Sequence, residues 1–212
     1  MSDSTTIRIA GRERSIEHCV SELRRYPGQT IRNYDLPGPG APTILSRDEV
    51  ARTRALHSRI SEEQLAWFLQ RAESAPWPPT DANLLRAEPH IREGLYDQHE
   101  AFYRHFENEA HSRVRPSKIS KVLHVKRPAA IPILDSKVTK VYRRCAEAAA
   151  SRYPRLKYKN FAYWAAVRDD LIANTESEAL IKLRALIGDH GTLGANLDQI
   201  TDLRLLDMLT WQ

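Results

Sequence analysis

The chain has 212 residues, 42% of them hydrophobic, and a formal net charge of +5. That length suits one medium domain, or a compact domain with an N-terminal extension, and it allows a buried core. No run approaches the roughly 18–20 apolar residues that span a bilayer, and the N-terminus MSDSTTIRIAGRERS lacks the apolar centre of a signal peptide. Cys19 and Cys145 form no CxxC pair, so a reduced cytoplasmic protein with no metal, no cofactor and no membrane contact is expected.

In chain order, TIRI reads as a short strand and SIEHCVSELRRY as a helix with Ile16, Val20 and Leu23 on one face. The Pro- and Gly-rich stretch YPGQTIRNYDLPGPGAPTIL reads as loop. Residues 1–45 are therefore taken as an extension and 46–212 as a helical domain. Ser46 with Glu49, and Ser61 with Gln64, are capping boxes that open helices; the first is expected to run to about His57. A helix over roughly 89–108 places Leu95, His99, Phe102, Tyr103 and Phe106 on one stripe. A short helix over 118–124 precedes KRPAAIP, and another from Ser136 to about Arg152 turns Val138, Val141, Tyr142, Cys145 and Ala149 inward. Three more follow, near 161–173, 176–187 and 201–211. The fold class is mainly α, a single multi-helix globule with a small irregular or β element at the N-terminus.

The charge is unevenly spread. From Arg113 to Arg168 there are 15 Lys or Arg against two acids, Asp135 and Glu147, whereas the other 156 residues carry 17 basic against 25 acidic. Such a block is an electrostatic footprint for a polyanion, because each neutralised phosphate releases counterions. Nucleic acid, DNA first, is favoured over membrane because the block has no long face of bulky apolar anchors.

Asp135 is the one acid in the most basic part of the block, Ser117 to Arg144. Two readings stand. It caps the helix that begins at Ser136, accepting amide hydrogens of the first turn. Alternatively, or in addition, it stabilises positive charge on a sugar as a base departs. Lys118 is the candidate amine partner, and Lys121, His124, Lys126, Arg127, Lys137 and Lys140 are candidate phosphate contacts. Bases stack on aromatics; of Tyr142, Tyr158, Tyr163 and Trp164, Tyr142 and Trp164 sit at core positions, and Tyr158, between Lys157 and Lys159, is the better candidate platform. Arg204 and Asp207, at i and i+3, form a structural ion pair. There is no GxxxxGK[ST], GxGxxG or GxSxG motif and no histidine ligand set.

The segment SKVLHVKRPAAIPILDSKV, with the terminal LRLLDMLTW, resembles a bacterial domain family of unknown function that shares S-K-x-L-H-x-K-R-P-x-x-x-P-x-x-D-S-x-V, over much of the chain from about Asp48. More distantly it is similar to the helix-hairpin-helix DNA glycosylase superfamily. That resemblance places Pro132, Asp135 and Val138 on the x-P-x-D-x-x-V segment, with Asp135 catalytic and Lys118 nearest the lysine position. The hairpin glycines are replaced by RVRPSK, the interval from lysine to Asp135 is shorter, Pro132 lies one residue further from Asp135, and the iron–sulfur cysteines are absent. The expectation is a nucleic-acid-binding protein that inspects or removes an extruded base; the alternative is a non-catalytic DNA-binding or protein-interaction module on the same scaffold.

Overall fold

The computed structural model describes residues 6–108, 113–156 and 159–211. The chain opens with an antiparallel hairpin, β1 (Thr6–Ile9) and β2 (Arg12–Ser15), in register Thr6 to Ser15. Its turn needs Gly11, which has φ of 71° and gives its amide to Asp170 Oδ1 at 3.2 Å. A Cβ there would stand 3.1 Å from Cys145 Sγ, so the position is closed to side chains twice over.

The helices follow as α1 (Ile16–Arg24), α2 (Gly28–Thr30), α3 (Arg47–Arg52), α4 (Glu62–Ala72), α5 (Leu95–Glu107), α6 (Pro116–Lys126), α7 (Ser136–Arg152), α8 (Lys159–Glu176), α9 (Ala179–Ile187), α10 (Gly191–Gly194) and α11 (Asp202–Thr210). The protein is thus mainly α, with one small sheet among the described residues. None of these helices is long and apolar enough to cross a membrane.

Both capping boxes close as the sequence predicts: Ser46 and Glu49 exchange bonds at α3, and Ser61 and Gln64 at α4. Other boundaries move for local reasons. The stretch read as loop is helical over 28–35, where α2 runs into a wider turn at Ile31–Asp35 that buries Ile31 and Tyr34. The helix expected from 89 starts at Leu95, because Glu93 adopts φ of 59° and the turn before it is pinned by Arg155 to the Pro89 and Ile91 carbonyls. Glu178, at φ of 57°, separates α8 from α9. Val141, expected inside, is 40% exposed.

α8 lies at the centre, touching α7, α9, α11 and β1. Its Phe161 and Trp164 meet Tyr103 of α5 edge-on, at 5.9 and 5.3 Å between ring centres, the geometry aromatic quadrupoles prefer. The hairpin and α1 share this core: Ile7, Ile9, Cys19 and Leu23 are buried with it. The first residues described are therefore packed against the helices.

Candidate functional site

α6 is almost wholly interior; every residue from Ile119 to Lys126 is buried. A buried polar group must find partners, and the basic residues of this helix find them in the protein itself. Lys126 Nζ donates to the carbonyls of Ala41 (2.6 Å), Ile44 (2.8 Å) and Pro39, and to Glu49 Oε1 (2.7 Å). Arg127 gives its guanidinium to the Pro78 and Pro42 carbonyls and lies 5.6 Å from the Trp77 ring centre. Together the two cations clamp the Pro/Gly loop, where Gly40 at φ of 59° keeps Glu49 close. His124 is buried, bonded through Nδ1 to the Ile131 carbonyl at 2.7 Å, and burial pushes its pKa down to about 3. Lys121 Nζ donates to the Leu56 carbonyl at 2.8 Å; burial lowers its pKa, and the charges of Asp135 and Asp207 work in the opposite sense. Of the expected phosphate contacts, these four side chains thus face inward.

Lys118, expected beside Asp135, donates instead to Gln64 Oε1 at 2.7 Å. The α6 lysine whose charge Asp135 does meet is Lys121, one turn further along.

Asp135 caps α7 as the sequence predicts. Its Oδ1 accepts from the amides of Lys137 (2.9 Å) and Val138 (3.0 Å). Its Oδ2 accepts from Trp211 Nε1 at 2.5 Å, a contact across 76 residues that no local pattern announces. Lys137, the second residue of α7, folds over the same indole, with Nζ 4.6 Å from the ring centre and 2.7 Å from the Trp211 carbonyl. Trp211 is thereby fixed by an acid at its edge and a cation on its face.

The indole so held forms one wall of an open cleft of about 330 Å³, lined also by Arg25, Tyr26, Thr30, Leu56, His57 and Lys137. His57, in the left-handed conformation at the end of a short helical turn, lies nearly parallel to Trp211, 26° off and 6.3 Å between ring centres. The volume is in the range of small-molecule sites, roughly 300–1,000 Å³. Aromatic walls with a cationic rim fit a flat ring joined to a negatively charged group. Among the described residues, no three His, Cys, Asp or Glu side chains gather as a metal site.

Beneath the cleft lies a buried charge cluster. Arg204 pairs with Asp35 through Nε at 2.8 Å and with Asp207, and it donates to the Tyr26 hydroxyl at 3.1 Å. The Arg204–Asp207 pair expected from spacing is present, in the interior and with Asp35 as a second acid. Burial raises the Asp207 pKa to about 6 against the pull of Arg204, and burial also raises that of Asp35. One oxygen of Asp207 is buried without a partner among the described residues.

On the outside, the spacing of Lys137, Lys140 and Arg144 puts them on one side of α7, and all three are exposed. Lys140 and Arg144 form no ion pair among the described residues. Tyr158 lies outside the described residues. The cleft residues Arg25, Tyr26, His57 and Trp211 were missed by sequence reasoning; Tyr26, His57 and Trp211 gain their roles from neighbours far along the chain.

Residues 48–212 match a family of unknown function (DUF6308). The chain belongs to that family. No curated protein and no solved structure matches it. The DUF6308 stretch contains Asp135, Lys137, His57 and Trp211, so one wall and the rim of the cleft come from it. Arg25, Tyr26 and Thr30, which also line the cleft, precede it.

Proposed function

We propose that this DUF6308 protein binds nucleic acid, with phosphates laid along the exposed side of α7 and one unstacked base received in the cleft beside Trp211. The observation that carries this reading is the cleft itself: an aromatic wall held in place by Asp135, with Lys137 on its rim and Lys140 and Arg144 leading away from it. Single-stranded nucleic acids are held by this pairing of a cationic track with stacking rings. Lys121, His124, Lys126 and Arg127 contribute by building the scaffold.

In this arrangement Asp135 is a positioning residue. Both of its oxygens are occupied, and only 8% of the residue is exposed. A second reading, base excision of the kind its resemblance to DNA glycosylases implies, draws on one observation: Asp135 is a single hydrogen bond behind the cleft wall. Excision requires Oδ2 to leave Trp211 Nε1 and meet the sugar.

The test is a titration of a fluorescently labelled single-stranded oligonucleotide, read by anisotropy. Binding at about 50 mM salt that weakens steeply toward about 200 mM supports the reading; no binding at the lower salt overturns it. Incubating the same protein with duplexes that carry damaged bases separates the two versions, since base release that Asp135→Asn abolishes would make Asp135 catalytic.

A further inference from the structure

Tyr26 lines the cleft, and its hydroxyl meets the buried charge cluster. Arg204 Nη2 donates to that oxygen at 3.1 Å. A guanidinium has donors only, so the phenolic hydrogen is left over, and no described acceptor takes it. The remaining oxygen of Asp207 is out of hydrogen-bond reach of any donor among the described residues. Arg204 is in no position to turn away: Asp35 holds it at 2.8 and 3.3 Å, Asp207 holds a third nitrogen, and its charge lies 5.6 and 5.2 Å from the ring centres of Tyr26 and Tyr34. Burial raises the phenol pKa, so the hydrogen stays on the oxygen at neutral pH.

We propose that Tyr26 is a specificity-determining residue of the cleft, its hydroxyl fixed by Arg204 as a donor that selects ligands presenting a hydrogen-bond acceptor, such as a base carbonyl oxygen. This rests on the nucleic-acid reading above and adds which chemical feature of the base is read. The determinant comes from chain that precedes the matched residues 48–212.

The experiment compares two labelled 12-nucleotide single strands, oligothymidine and the same strand with 2,4-difluorotoluene in place of every thymine, a shape mimic without carbonyl oxygens. Wild type is expected to prefer thymine by about 3- to 10-fold, one net hydrogen bond. Tyr26→Phe, which keeps the ring, is expected to bind both strands equally, with the salt dependence of wild type. Equal binding of the two strands by wild type, or an undiminished preference in Tyr26→Phe, overturns the proposal while leaving the parent reading in place. Absence of binding to either strand overturns both. Because the difluorotoluene comparison is made on unaltered protein, a folding defect in the variant does not shield the proposal.

Discussion

The two halves of the most basic segment carry similar charge and do opposite things. From Lys118 to Arg127 the cations turn inward or lie against the protein, and Lys126 sits in a cage of three carbonyls and a carboxylate. From Lys137 to Arg144 they turn outward along one helix. The difference follows from where each helix lies. From Ile119 onward α6 is buried, so each polar group there is bonded within the protein or costs the fold free energy. α7 buries only the stripe Val138, Tyr142, Ala146 and Ala149. Charge density along a sequence therefore reports a basic surface only where the helix has a face left to show.

That contrast breaks most visibly at Lys126. Lys126→Met leaves Glu49, whose side chain is 3% exposed, as an uncompensated buried acid. A loss of about 3–5 kcal/mol in stability is expected from denaturant titration, with the Pro/Gly loop released. A loss near zero would mean that the lysine is not the clamp described here.

A smaller effect is expected at the junction of the two halves. Asp135→Asn keeps an acceptor for the α7 amides but loses the charge that complements the helix N-terminus and the indole. About 1 kcal/mol should be lost, accompanied by a change in Trp211 fluorescence. Stability lowered without that spectral change would separate the cap from the cleft wall.

At neutral pH the smallest effect is at His99, a histidine of the enclosed core whose two ring nitrogens are buried without partners among the described residues. Burial, with Arg127 adding to it, lowers its pKa to about 4. An unfolded histidine binds its proton near 6.5, so between these values the unfolded state holds more protons and stability falls as pH drops. Asp207 acts in the opposite direction: its pKa is raised to about 6, so its cost is full above that pH and is relieved on acidification. His99→Phe should therefore change little at pH 7 and flatten the acid limb between pH 6.5 and about 4 by up to about 1.4 kcal/mol per pH unit. An unchanged slope would show that His99 is already charged in the fold.

Local chemistry in the sequence was a sound guide to local structure. Ser46, Ser61 and Asp135 cap the helices expected of them, Trp164 and Tyr142 are core, and Arg204 meets Asp207. β2 was missed because RERS has no apolar alternation; its strand is imposed by pairing with Ile7 and Ile9 of β1. The site was harder to read. Trp211 to Asp135 spans 76 residues and Arg204 to Asp35 spans 169, and nothing within a helical turn of either partner encodes the other. The inward course of Lys126 is equally silent, because three of its acceptors are backbone carbonyls, which every residue has, and the fourth, Glu49, stands 77 residues away.

The most direct test of the outward half is the salt dependence of single-stranded DNA binding by wild type and by Lys140→Glu/Arg144→Glu. Both substituted side chains are exposed, so stability should stay within about 0.5 kcal/mol. The plot of log affinity against log salt should be shallower than wild type by about 1.4, or 0.7 per lost phosphate contact. A variant that keeps the wild-type slope and affinity would contradict the account, placing the polyanion elsewhere on the molecule or nowhere.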